Sequence, residues 1–173
     1  MEPSQGFPPV ARVDARILVL GSLPGQKSLA ASEYYAHPQN AFWRIMQELF
    51  GVAGHYDERC LLLHERKLAL WDVLRSSVRR GSLDADIRRE TAFANDFEGF
   101  LNSHASINTI AFNGKKAEQL FRSMVPKEHY QKVRLVGLPS TSPAYAAMSF
   151  ADKLNAWAAG LDIDGKSHNA LAP

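Results

Sequence analysis

The sequence predicts an α/β fold, a three-layer α/β/α sandwich around a mainly parallel four-stranded sheet. Two observations carry this reading. Four short apolar runs, residues 16–20, 67–71, 107–112 and 132–137, have strand length and are bounded by turn-forming residues. The stretches between them repeat their apolar residues at helical spacing, so strands alternate with helices as in βαβ units. At 173 residues, 46% hydrophobic and 22% charged, the chain suits one domain with a single sizeable core. That domain is expected over residues 1–160, with a tail over 161–173 whose end, "DGKSHNALAP", reads as frayed.

Each helix has its own stripe. Phe42, Ile45, Met46, Leu49 and Phe50 form the first, ended by Gly51. Phe93, Phe97, Phe100 and Leu101 form the second. Ala117, Leu120, Phe121 and Met124 form the third, closed by Pro126. Phe150, Leu154, Trp157 and Ala158 form the fourth, with Gly160 as its C-cap. There is no internal repeat, heptad series or long linker.

The parallel sheet directs attention to the strand ends. Ligands of open α/β sheets bind beyond the carboxyl ends of the strands, near the point where strand order reverses. The four runs are followed by "GSLPG", "WD", "NG" and "LPSTSP". All are polar or turn-forming, and the topology gathers them at one edge.

Each of these segments has a plain structural reading beside a functional one. "GSLPG" is first a strand-to-helix turn and second a cradle of N–H groups for an oxygen-bearing ligand. It matches neither a Walker loop nor GxGxxG. Asn113 in "NGK" reads as a helix cap or as a cleft residue. Asp72 reads equally as a cap of the next segment or as a carboxyl facing the cleft. "PSTSP", residues 139–143, lacks the G-x-S-x-G elbow of a serine nucleophile and suits an ST-turn or a phosphate-gripping loop. The run "RSSVRRGSLDADIRR" reads as a solvated face, or as a phosphate-binding rim if the neighbouring site takes nucleic acid. "YYAHPQNAFW" is harder to explain structurally. Phe42 and Trp43 belong to the core through the following helix, whereas Tyr34, Tyr35 and Asn40 lie beside the end of the first strand. A tyrosine ring and an amide in one cleft suit a flat heterocycle, stacked on its face and read at its edge.

Composition narrows the field. A formal net charge of +2 neither establishes nor excludes a polyanionic partner. One cysteine, Cys60, excludes an internal disulfide and any four-cysteine metal or iron–sulfur site. The histidines show no ligand spacing, so no metal and no cofactor is expected. "MEPSQGFPPV" lacks the basic and apolar regions of a secretory signal, and no apolar run reaches membrane-spanning length. The expectation is a cytoplasmic, nucleoid-associated monomer with no membrane and no obligate protein partner.

Taken together, "GSLPG" after the first strand, then "YYAHPQNAFW", and "LPSTSPA" before the last helix resemble the uracil-DNA glycosylase superfamily. "GSLPG" resembles its first motif and "LPSTSP" its second, DNA-gripping motif. With "GFPPV", "LWDVL" and "GSLDADI" added, the chain is most similar to the hypoxanthine-DNA (deoxyinosine) glycosylase branch, over residues 6 to 160. The resemblance implies a monofunctional glycosylase that hydrolyses the N-glycosidic bond of hypoxanthine, and of uracil second, in DNA. It implies Asn40 as the catalytic residue, placing a water. Gly21, Ser22, Tyr35, Asp72 and Asn113 would bind the flipped base. Ser140, Thr141 and Ser142 would hold flanking phosphates, with Pro143 and Tyr145 pressing into the vacated stack. The chain departs from the wider superfamily at Ser22 and Leu23, where an Asp, Asn or Glu is usual, and at Leu138, where a His or Asn often stands. Those departures keep open a lesion-binding module without turnover. A nucleotide- or phosphate-metabolite enzyme on a Rossmann-like sheet predicts a phosphate loop with a lysine or metal ligands, and leaves "YYAHPQN" unexplained.

Overall fold

A computed structural model describes residues 2–163. In chain order, the elements are β1 (Ser4–Gln5), β2 (Ile17–Gly21), α1 (Gln26–Ala31), α2 (Phe42–Phe50) and α3 (Tyr56–Glu65). There follow β3 (Leu68–Asp72), β4 (Leu74–Ser77), β5 (Phe93–Ala94), α4 (Phe97–Ser103) and β6 (Thr109–Asn113). The last are α5 (Lys115–Met124), β7 (Arg134–Leu138) and α6 (Phe150–Gly160), with short 3-10 turns at Asp84–Asp86, Arg89–Thr91 and Lys127–Tyr130.

The expected four-stranded sheet is present, in the order β3-β2-β6-β7, with every pair parallel. Each strand ends one residue later than the apolar run that foretold it, because the ladder carries on through a residue that is not apolar in three cases of four: Gly21, Asp72 and Asn113, with Leu138 the fourth. The chain leaves β2 outward to β3 and then returns across it to β6. Strand order therefore reverses between β2 and β6.

Alternation along the strands divides the interior into two layers. Leu18, Leu20, Ala69, Trp71, Ile110 and Phe112 face one side, against Phe97, Phe100, Leu120 and Phe121 of α4 and α5. Val19, Leu68, Leu70 and Ala111 face the other, against Phe42, Ile45 and Met46 of α2, Leu63 of α3 and Trp157 of α6. The result is the three-layer sandwich. The outer edge of β3 is closed by the chain's beginning: Val10 and Leu70 exchange N–H···O bonds of 2.9 and 2.8 Å in an antiparallel bridge.

Four features depart from expectation, the first being α3, which presents no apolar stripe and was not foretold. A second, antiparallel sheet, β1-β4-β5, extends from the end of β3. Phe93, assigned by spacing to a helix, lies in β5 and is 57% exposed. The helix starts at Phe97 because the Asp96 carboxylate accepts the Gly99 N–H at 3.0 Å and caps it there. The chain also stays packed past residue 160: Leu161 is buried in the core, and Asp162 pairs with Arg134 at 2.9 Å. Residues 164–173 of the expected tail lie outside the described residues.

Phe121 anchors one layer, with ring contacts to Phe97, Phe112 and Tyr130 at centroid distances of 5.0, 5.2 and 4.8 Å. Truncating such a side chain removes transfer energy and leaves a cavity. Phe121→Ala should lower unfolding free energy by about 3–5 kcal/mol, read as a reduced midpoint in urea denaturation.

Candidate active site

The ladder between β2 and β6 ends at Leu20↔Phe112. The flanking ladders run one step further, to Gly21↔Asp72 and Asn113↔Leu138. The central pair thus parts at its carboxyl end, with Gly21 and Asp72 on one side and Asn113 and Leu138 on the other. Gly21 is glycine for a steric reason. A Cβ there would sit 2.5 Å from Asp72 Oδ1 and 3.1 Å from the Tyr35 hydroxyl. Those two groups therefore converge on the Gly21 backbone.

Both are buried and incompletely satisfied. Asp72 is 4% exposed, and neither its Oδ2 nor the Tyr35 hydroxyl has a hydrogen-bond partner among the described residues. Unpaired buried polar atoms are costly and few in native proteins, so two in one place mark a site. Burial raises Asp72 to about 7; nearby Asp84 pushes the same way and Arg79 opposes. Burial and Asp72 together push the Tyr35 phenol far up, while the nearby Asn113 side chain works against them. The tyrosine ring is fixed by its backbone, in the left-handed region at φ 55°, and by stacking on Phe42 at 4.1 Å and 25°. Its neighbour Tyr34 has a different duty. It is buried in the core, its hydroxyl donates to the Pro8 carbonyl at 2.9 Å, and its own carbonyl accepts the Trp43 indole N–H.

Asn113 is neither a helix cap nor a free amide. Its Nδ2 donates to Thr141 Oγ1 at 2.8 Å, and its Oδ1 accepts the Thr141 N–H at 2.9 Å. A backbone N–H can only donate, so this pairing fixes which way the amide faces and leaves one N–H of known sense. Thr141 was expected on a phosphate. It is buried at 1% exposure with its hydroxyl turned to Asn113, and it acts as the pin between β6 and the 139–143 loop. Its carbonyl in turn accepts the Ala41 N–H at 3.0 Å, which brings Asn40 to the same edge. Asn40 Oδ1 accepts the Phe42 N–H at 2.9 Å, an Asx turn that leads into α2. One Oδ1 lone pair and the side-chain NH₂ remain.

Ser22 is committed elsewhere. Its hydroxyl donates its proton to Asp84 Oδ1 at 2.5 Å, and its carbonyl accepts the Leu74 N–H at 3.0 Å. Leu23 is buried in the core, as its side chain requires. Behind this turn stands Arg79, which the sequence placed in a charged run on a solvated face or a phosphate rim. It is instead 3% exposed: its guanidinium donates to the Leu23 and Pro24 carbonyls and lies 3.5 Å from Asp84.

The 139–145 loop keeps its polar face outward. Ser140 and Ser142 hydroxyls accept the N–H groups of Ser142 and Ala144, at 3.2 Å each, which leaves both O–H groups free to donate. Pro143 and Tyr145 are exposed. Lys153, overlooked in the sequence, is buried in α6, donates to the Ser142 carbonyl at 3.3 Å and lies near the Tyr145 ring. Its signal was present: position 153 falls on the apolar stripe between Phe150 and Trp157. An open cleft of about 430 Å³, lined by Arg16, Lys67, Asn108 and Arg134 among others, lies at the opposite, amino edge of the sheet. It contains none of the groups above.

The buried carboxyl sets a pH dependence. Its proton affinity is higher folded than unfolded, so the folded state holds the extra proton and stability falls as pH rises from the ordinary carboxylate range to about 7. Asp72→Asn should flatten that fall and raise the melting temperature at pH 8, measured against wild type across pH 5–8. Unchanged slopes in the variant would contradict the buried, protonated state.

Comparison with known proteins gives the family. The profile of the Uracil DNA glycosylase superfamily matches residues 8–159. A hypoxanthine DNA glycosylase of Methanosarcina barkeri is 37% identical over 126 residues, covering 69% of this chain and 78% of that protein. One from Methanosarcina acetivorans is 36% identical over the same shares. A solution NMR structure of a uracil DNA glycosylase candidate from Methanosarcina acetivorans superposes with a TM-score of 0.75 at 31% identity, over 94% of this chain and 99% of that one. The chain belongs to the uracil DNA glycosylase superfamily.

Proposed function

We propose that this protein is a monofunctional DNA glycosylase for deaminated bases, hypoxanthine first and uracil second. The observation that carries the reading is the parted end of β2 and β6, where an unsatisfied carboxyl, an unsatisfied phenol and an oriented amide converge. Its relatives named as hypoxanthine DNA glycosylases support the same reading.

A base rotated out of the duplex enters this cleft and stacks on Tyr35, whose ring is backed by Phe42. Hypoxanthine and uracil share an adjacent carbonyl and N–H. The remaining Asn113 N–H, with its sense fixed by Thr141, donates to the carbonyl, and Asp72 accepts the N–H. Asp72 alone does not discriminate, because a neutral carboxyl can exchange donor and acceptor roles. The fixed amide does: adenine offers it an amine, two donors meet, and a buried group is left unpaired. Asn40 places the attacking water with its remaining polar groups. Bond cleavage leaves positive charge on the sugar and negative charge on the departing base, which the donors at the cleft stabilise. The Ser140 and Ser142 hydroxyls hold phosphates, and Pro143 and Tyr145 occupy the vacated stack.

The test is single-turnover cleavage of matched duplexes containing deoxyinosine, deoxyuridine or neither, followed by alkali to reveal abasic sites. Alkali-dependent breaks at deoxyinosine are expected. Tight lesion binding without product would instead support a non-catalytic lesion binder, the reading favoured by Leu23 at the usual acidic position. Asn40→Ala should abolish cleavage and also cost about 1 kcal/mol through the lost hydrogen bond to the Phe42 N–H. Asn40→Asp keeps the oxygen that accepts the Phe42 N–H. An unchanged single-turnover rate in both variants would remove Asn40 from the chemistry.

A further inference from the structure

Arg79 and Asp84 belong to a stretch that the proposed reaction leaves unused. Arg79 is buried almost completely, its guanidinium bonded to two consecutive carbonyls, Leu23 and Pro24, and paired with Asp84. Asp84 also accepts the Ser22 hydroxyl at 2.5 Å. The same loop holds the turn from a further side: Ser82 Oγ accepts the Gln26 N–H at 2.9 Å, and the Gly81 carbonyl accepts the Gln26 side-chain amide. Three successive residues of the turn, Ser22, Leu23 and Pro24, are thus tied to one ion pair. Burying a guanidinium is expensive unless it is paired and hydrogen-bonded, and replacing such a pair with apolar residues often stabilises a protein. Arg79 Nε is still unsatisfied. The arrangement is poor as a stability device and well suited to fixing geometry.

We propose that Arg79 and Asp84 are positioning residues of the base pocket, holding the 22–25 turn, and Gly21 before it, against Asp72. The proposal rests on the glycosylase reading for its rate effects, and on the pair's hydrogen bonds to the turn together with its two charges near Asp72 for its effect on that carboxyl. Two consequences follow from the pair's place. Loosening the turn moves the Gly21 backbone away from the carboxyl and the phenol. Removing either charge also changes the field at Asp72, in opposite senses. The ionisable groups close to Asp72 are Tyr34 and Tyr35 from the segment before α2, and the Arg79–Asp84 pair, which forms a clasp on the turn. Both phenols stay neutral through the working range, so the clasp supplies the charges that act there.

The experiment compares wild type with Asp84→Asn, Arg79→Met and Arg79→Lys. The Asp72 carboxyl is followed by carbon NMR titration, and single-turnover rate on deoxyinosine duplex is followed across the same pH range. Asp84→Asn should move the Asp72 midpoint to lower pH and Arg79→Met to higher pH, with Arg79→Lys near wild type. The single-turnover rate in Arg79→Met should fall about tenfold or more, since small misplacements can cost ~100-fold, while lesion affinity changes little and Arg79→Lys recovers part of the loss. Midpoints that coincide in folded Asp84→Asn and wild type would overturn the proposal, as would a full rate in folded Arg79→Met. If Arg79→Met does not fold, Arg79→Lys and Asp84→Asn decide. A wild-type protein that cuts neither lesion refutes the glycosylase reading, whereas the NMR midpoints still judge the clasp.

Discussion

The site depends on one hydrogen-bonded ladder stopping before its neighbours do. β2 and β6 are the two central strands, yet their pairing ends at Leu20↔Phe112, while β2 with β3 and β6 with β7 continue for another step. The backbone of Gly21 and the side chain of Asn113 then face a gap instead of each other. That gap falls where strand order reverses, so the loops leaving β2 and β6 run away from it in different directions. Everything else at this edge closes around the opening. Asp72 and Tyr35 reach Gly21 from one side, and Thr141 ties Asn113 to the following loop on the other.

The energetics of this edge run against those of the core. In the two apolar layers, side chains such as Phe42, Phe121 and Trp157 are fully enclosed and matched to their neighbours. At the carboxyl edge, Asp72, Tyr35 and Arg79 keep atoms without partners in a low-dielectric setting. A chain folding only for stability would satisfy or remove them. Their retention means that the surrounding packing over-determines the site and holds groups in states they would not choose in water.

Most of the fold was legible in the sequence, because strands buried on both faces leave continuous apolar runs and helices leave a 3.6-residue stripe. Their ends were misjudged by one residue, as polar Asp72 and Asn113 do not look like strand residues although they complete the ladders. The β1-β4-β5 sheet was invisible, since two of its strands have two residues and the third only four, too short to carry a period. In the site, Gly21, Tyr35, Asp72 and Asn113 stood out because the topology gathers them. Ser22 and Thr141 were found by motif but turn their hydroxyls to protein partners, a choice that only packing decides. Arg79 was missed for a physical reason. A run of alternating charges reads as solvated, and nothing local distinguishes the one arginine that points inward, 55 residues along the chain from the carbonyl it meets.

The left-handed backbone of Tyr35 has a consequence for how this protein can change. Glycine and asparagine occupy φ 55° with the least penalty, and neither carries a ring. At this position backbone comfort and side-chain use conflict. Selection for thermal tolerance alone would favour the substitutions that relax the turn, and each of them would strip the stacking surface from Phe42. Directed evolution of a hardier variant therefore has to screen for base recognition at every round, or it will drift toward a sturdier protein with no floor to its cleft.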